Sequence, residues 1–316
     1  MGCDALTVGN HEFDLGPAVF NSSLSQAFSS GSFPILSANL DLTGFPQLGS
    51  FISPSVIVNK GGVNVGIFGM TTPYEISNAS PVVIQTNITE IVGNTVTALQ
   101  NSGANVIVFL SHLGSTTDSV IAGSIPGIHI IVSGHDHRSL YTPVLIPNPS
   151  GFNTIQVSAG EYYKQLGQLV FNYDNGIVTL VQYDLFDLNS NFPEDQTVKN
   201  DLYSLKPQLV NAYGNIFTQI IASAPFYVGK SPGGTNPALK DSPLGNLVAD
   251  ALKQYAQAEI GITPNGFIAE GFYQGNITLF DVLRSVPYGF DTASGLGFDV
   301  MTIDIQIGRA SCRERV

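Results

Sequence analysis

The sequence is poor in charge, in cysteine, in histidine and in long apolar runs. Charged residues make up 11% of its 316 residues, and 24 acidic side chains face only 12 basic ones, for a formal net charge of -12. A surface so short of lysine and arginine argues against nucleic acid or an anionic membrane as a general partner. It does not exclude a phosphate-bearing small molecule, because bound divalent cations would dominate the local field. Two cysteines, Cys3 and Cys312, exclude a disulfide framework that would mark a compartment. No apolar run is long enough to span a bilayer, and the opening residues do not read as an export leader. What remains is a globular composition, 43% apolar with frequent glycine and proline, in a chain long enough for two domains.

Of the five histidines, four fall in three short segments: Gly9-Asn10-His11-Glu12-Phe13-Asp14, Ser111-His112 and Gly134-His135-Asp136-His137. Each segment follows an apolar, β-branched run that reads as a buried parallel strand: Ala5–Val8, Val106–Leu110 and Ile128–Val132. In an open α/β sheet, ligand sites form at the carboxyl ends of strands, so the three segments are expected to converge on one cleft. Residues 1–190 alternate strands with helical patterns such as 18–28 and 88–102, which predicts βαβ units. Lys60-Gly61-Gly62 and Asp174-Asn175-Gly176 read as hairpin turns. Asn153–Val157, Gln168–Tyr173 and Ile177–Tyr183 read as a closing antiparallel set. Residues 191–223 form a polar, helical connector interrupted at Pro207, and a second α/β segment occupies 224–306, ending in a strand-like run from Asp299 to Ile305. The last ten residues, 307–316, break from this pattern and resemble the translation of a short-read sequencing adapter, so they are expected to be non-native.

The residue types suit a metal site. An amide oxygen, as on Asn10, is a neutral hard ligand, and a glycine before it lets the backbone turn tightly at a strand end. Taken alone, the segment reads equally well as an Asx-turn with a surface histidine. His135 and His137, two residues apart on an extended segment, can face one side, one for each of two adjacent ions. His129, within its strand, reads as structural, and Cys3 as a small buried residue.

In this order, the three segments resemble the second half of the calcineurin-like metallophosphoesterase signature. Gly9–Asp14 and Ser242-Pro-Leu-Gly-Asn-Leu-Val-Ala-Asp250 are similar to the 5′-nucleotidase family within it, up to Gln306. The resemblance implies an α/β fold: a metallophosphoesterase β-sandwich flanked by helices, here incomplete, and a partial second α/β domain. It implies a two-metal phosphohydrolase releasing phosphate from nucleoside monophosphates, with two divalent ions (zinc, manganese, magnesium or similar), and export from the cytoplasm. Asn10, His112 and His135 would bind one ion and His137 the other. His11 would stabilise or protonate the leaving oxygen, held in its tautomer by Asp14.

The chain also departs from that pattern. The family's Asp-x-His and Gly-Asp motifs, the second of which bridges the ions, do not occur, and the strands that carry them are expected to be missing. An unpaired apolar sheet edge, weak metal binding, little or no phosphatase activity and aggregation are then expected of the chain alone. Ala269 stands where the family's phosphate-binding arginine is expected, after Asn265, which reads either as a substrate contact or as a plain turn residue. Base-stacking aromatics would lie beyond Pro287-Tyr288-Gly289-Phe290. Alternatives left open are a hydrolase for cyclic or sugar nucleotides and a non-catalytic binding protein.

Overall fold

The computed structural model describes residues 3–29, 33–74, 78–231, 241–287 and 300–304. Cys312, the segment 288–290 and the tail 307–316 lie outside the described residues. The chain divides into two units, Met1–Pro193 and Glu194–Val316.

In the first unit, strand β1 (Leu6–Thr7) leads through a short 3-10 turn (His11–Phe13) into helix α1 (Gly16–Ala27). Strands β2 (Ile35–Leu36), β3 (Leu40–Asp41) and β4 (Ile52–Ser53) follow, then β5 (Ser55–Lys60), β6 (Val63–Thr71) and β7 (Val83–Ile84). Helix α2 (Ile88–Asn101) feeds β8 (Val106–His112), and helix α3 (Ser115–Ser124) feeds β9 (Ile130–Ser133). Strands β10 (Val144–Pro147), β11 (Asn153–Val157), β12 (Gln165–Asp174) and β13 (Ile177–Asp187) complete it.

The main sheet has the order β10-β11-β9-β8-β6-β5. Its inner strands β11, β9, β8 and β6 run parallel, and β10 and β5 pair antiparallel at the edges. Alternation along the strands separates two cores. Phe68, Met70, Ile107, Phe109 and Ile131 face Ile88, Val92, Val96 and Leu99 of α2 and Ile121 of α3. Each such side chain contributes about 1.5–3 kcal/mol on full burial, and Phe68 stacks on Phe109 with ring centroids 4.5 Å apart. Val106, Ile130, Ile155 and Val157 point the other way, onto Val178, Leu169, Phe171 and Leu180 of the β12–β13 ribbon. Helices on one face of the sheet and a ribbon on the other give the mixed α/β sandwich expected.

Three details differ from the expectation. The strand before the first motif is not in the main sheet: β1 pairs with β2, in a separate parallel sheet β1-β2-β4. The two sheets are stitched where β2 crosses β6. Ala38 N donates to Gly69 O at 2.8 Å, and Thr71 Oγ1 donates to Val8 O at 2.8 Å. A Cβ at Gly69 would lie 2.4 Å from Leu36 O, so only glycine permits the crossing. Second, β11 does not join the antiparallel ribbon; it extends the main sheet beside β9 because its alternate residues fill the core under that strand. Third, Cys3 is exposed, its thiol turned to Ala5 O.

In the second unit, helix α4 (Gln196–Tyr213) is capped by Asp195, which accepts from Thr197 N and Val198 N, and it contains Pro207 without ending there. None of its residues is buried. Strand β14 (Ile220–Ala224), helix α5 (Pro243–Ala256), strand β15 (Gly275–Thr278) and helix α6 (Leu279–Ser285) follow. β14 and β15 pair antiparallel, and Ala224, Leu244, Ile268, Phe272 and Ile277 form their core. Val300–Asp304 form no strand. Among the described residues, no helix is long and apolar enough to cross a membrane.

Candidate active site

The first segment turns sharply after β1. Gly9 N donates to Glu12 Oε2 at 2.7 Å, which closes the turn, and Phe13 is buried edge-on against Phe20 of α1. Burying Phe13 leaves His11 and Asp14, three residues apart, side by side on the outside. His11 Nδ1 lies 2.9 Å from Asp14 Oδ2. An ionised carboxylate only accepts, so Nδ1 carries the proton and Nε2 is left for chemistry. Asn10 points inward and is 2% exposed.

The carboxyl end of β8 meets it there. Asn10 Oδ1 stands 3.2 Å from His112 Nε2, and the His112 and His135 rings have centroids 5.1 Å apart. Burial first, then the neighbouring imidazoles of His135, His11 and His137, push the His112 pKa down to about 4. His112 is therefore neutral at physiological pH, as a ligand must be. Gly9 leaves room for this contact: a Cβ there would lie 2.8 Å from His112 Nε2.

The third segment is held in an unusual conformation. His135 and His137 have φ of 81° and 57°, a left-handed region that costs a non-glycine residue about 1–3 kcal/mol. Between them, Asp136 Oδ2 accepts from Ser115 N at 2.8 Å and from the Ser115 hydroxyl, which ties the turn to the start of α3. His137 Nδ1 lies 2.7 Å from Glu161 Oε2, and its ring meets Tyr162 edge-on at 5.3 Å. Beneath the site, Asp118 of α3 is fully buried and accepts from Ser111 Oγ at 2.5 Å. Burial raises its pKa to about 7 against the pull of the Ser111 and Ser133 hydroxyls.

Thus the structure brings Asn10 into contact with His112, sets His135 beside it, and pairs His11 with Asp14. Glu161 and Asp118 were not read from the sequence. Glu161 lies after β11, far from the motifs; its one local signal is the Gly160-Glu161 turn at a strand end. His129 is structural as expected: Nδ1 accepts from Ile107 N at 3.0 Å, Nε2 lies 3.3 Å from Gly176 O, and the ring stacks on Phe152.

A cation fits one place here. Asn10 Oδ1 and His112 Nε2, 3.2 Å apart, are two neutral donors of the kind that could share one divalent ion. A divalent ion would replace the imidazole proton that now joins them. Among the described residues, however, no group of three or more His, Cys, Asp or Glu side chains is arranged to hold a metal ion.

Residues 224–303 match the family described as 5′-nucleotidase, C-terminal domain. The 5′-nucleotidase precursor from Thermus thermophilus superposes with a TM-score of 0.77 at 30% identity, covering 90% of this chain and 58% of that one. The chain belongs to the 5′-nucleotidase family. It is also 30% identical to the snake venom 5′-nucleotidase of Gloydius brevicauda, over 92% of its own length and 53% of the relative's. The trifunctional nucleotide phosphoesterase protein YfkN of Bacillus subtilis is 30% identical over 92% of this chain, which spans 22% of that protein. The chain therefore spans about half the length of the venom and Thermus 5′-nucleotidases.

Within the 5′-nucleotidase C-terminal domain, Ser242 caps α5 by accepting from Gly245 N at 3.0 Å. Asn265 begins a short 3-10 turn, is exposed, and has its Oδ1 beside Gly245 at that helix start. Ala269 is buried, with its N donating to Ser285 O at 2.9 Å.

Proposed function

We propose that the protein is a metal-dependent phosphohydrolase that releases phosphate from nucleoside 5′-monophosphates. The observation that carries the reading is the buried Asn10–His112 contact at 3.2 Å, with His11 oriented by Asp14 next to it in the chain. The names of the venom and Thermus relatives support the substrate class.

In this reading Asn10, His112 and His135 hold one divalent ion and His137 the other. Such a pair supplies a water of lowered pKa and neutralises the phosphoryl oxygens. The neutral amide and imidazoles leave the site positive for a phosphate dianion. His11, with Nδ1–H committed to Asp14, takes up a second proton at Nε2 and delivers it to the leaving oxygen, a role worth about 10²–10⁴-fold in rate. Asp14 orients the ring so that Nε2 faces the reaction and stabilises the imidazolium before it gives up that proton. Asn265, at the start of α5, is a candidate substrate contact. The venom relative supports placing the protein outside the cytoplasm.

The donor set also sets a limit. With no cluster of three charged or imidazole ligands among the described residues, the chain taken alone binds the ions weakly and turns over little substrate. The buried Ala269 favours a second reading in which cyclic or sugar nucleotides are the substrates, since no arginine at that position selects a terminal phosphate. The name of the Bacillus relative is consistent with several nucleotide phosphoesters.

The test is a phosphate-release assay with nucleoside monophosphates, cyclic nucleotides and sugar nucleotides, across zinc, manganese and magnesium. It should be run on a protein of the relatives' full length carrying this chain, and on residues 1–306 alone. Metal-dependent release from monophosphates by the longer protein is expected, and little by the shorter. Release insensitive to chelation would overturn the proposal, and ready turnover by residues 1–306 would overturn the limit.

A further inference from the structure

The carboxylate of Glu161 makes a contact that the reading above leaves unused. Its side chain is only 14% exposed, and Oε2 stands 2.7 Å from Nδ1 of His137, whose own side chain is 45% exposed. Its other oxygen is 3.4 Å from Lys164 Nζ. The backbone around this contact is strained on both sides. His137, Tyr162 and Tyr163 have φ of 57°, 53° and 54°, and Gly160 has 73°. Left-handed conformations are unfavourable for non-glycine residues, and His137 and Tyr162, which adopt them, meet at this contact. The Tyr162 ring, edge-on to the imidazole at 5.3 Å, closes one side of it.

An ionised carboxylate has no proton to give, so the hydrogen between Glu161 and His137 sits on Nδ1. In neutral imidazole the lone pair is then on Nε2. A half-exposed histidine with no such partner would sample both tautomers and several ring orientations. Second-sphere carboxylates that fix a metal-binding histidine in this way govern cation affinity by about 10–100-fold.

We infer that Glu161 is a positioning residue: it holds His137 as the Nδ1–H tautomer with a fixed ring, so that Nε2 is the nitrogen offered to a divalent cation. The inference rests on the reading of His137 as a ligand. The competing role is a turn staple, in which Glu161 and Lys164, three residues apart, merely pin the loop between β11 and β12.

Long-range proton–nitrogen NMR of the histidine side chains tests this on the metal-free chain, at a pH where the rings are neutral. The wild type shows His137 protonated at Nδ1. Glu161→Gln, whose amide oxygen also accepts, keeps that tautomer. Glu161→Ala shifts His137 toward a mixture, and Lys164→Ala leaves it unchanged. Calorimetric titration with zinc, on a protein of the relatives' length carrying this chain, then shows a loss of affinity of about 10–100-fold in Glu161→Ala. An unchanged tautomer in Glu161→Ala overturns the inference, and so does a Lys164→Ala variant that behaves like Glu161→Ala, which identifies a turn staple. A shifted tautomer with unchanged zinc affinity leaves Glu161 holding His137 and overturns the ligand reading instead. Should Glu161→Ala fail to fold, Glu161→Gln carries the test, and loss of the Nδ1–H tautomer in that variant sinks it.

Discussion

Replacing Asp118 with asparagine should stabilise the first unit in alkali and destabilise it in acid. Asp118 is fully buried, its Oδ1 accepts from Ser111 Oγ, and its Oδ2 has no hydrogen-bond partner. Its pKa is raised from 3.8 to about 7. A carboxyl that holds its proton more tightly when folded makes the fold most stable below the unfolded value. Stability then falls as pH rises from about 4 to about 7, and is level above that. At 1.36 kcal/mol per pH unit, the span amounts to about 4 kcal/mol. Asparagine is nearly isosteric, keeps the acceptor for Ser111 and never ionises, but it places an amide N–H₂ where Oδ2 is unpartnered, at a cost of about 1–3 kcal/mol. Urea denaturation of the two proteins, following the first unit, should therefore show the variant weaker by about that amount near pH 4 and equal or stronger near pH 8. His112 acts in the opposite sense, since its depressed pKa removes stability as pH falls from 6.5 to about 4. It is common to both proteins and cancels in the comparison. A difference that stays constant from pH 4 to 8 would refute the assignment of a raised pKa to Asp118.

Two further substitutions separate the site from its scaffold. Gly9→Ala puts a methyl group 2.8 Å from His112 Nε2 and 2.9 Å from Glu12 Oε2. It should weaken zinc binding at least tenfold by calorimetry while costing about 1–3 kcal/mol of stability, and unchanged zinc affinity would count against the Asn10–His112 place. His129→Leu removes the acceptor of Ile107 N and the stacking on Phe152. It should cost about 1–3 kcal/mol and leave zinc binding intact; a matching loss of zinc affinity would show that His129 is not merely structural.

How much of this was legible in the sequence depended on range. The strands before His112 and His135, and both hairpins, follow from local signals: β-branched runs and turn residues next to them. The helix from Ile88 to Asn101 follows from its apolar spacing in the same way. The position of β1 was not legible, because its partners in the parallel sheet, Ile35–Leu36 and then Ile52–Ser53, are two residues each and are chosen by the fold of the whole unit. β11 lies beside β9 and not in the antiparallel ribbon for a related reason: alternation predicts a strand but not which neighbour it takes. The gathering of Asn10, His112 and His135 was readable from strand ends. Glu161 and Asp118 were not, since a single acid in a turn or on a helix carries no pattern, and only the folded chain sets one against His137 and the other against Ser111. Cys3 went the other way. Small and apolar, it reads as buried, and it is exposed because only two residues of β1 are paired.

The most direct measurement of the central claim is phosphate release from a nucleoside 5′-monophosphate by a protein of the relatives' length carrying this chain, compared with its His11→Ala variant at saturating manganese or zinc. Release should disappear on chelation and fall by about 10²–10⁴-fold in the variant, while cation affinity is retained. Equal rates in the two proteins, or release that survives removal of the metal, would contradict the claim.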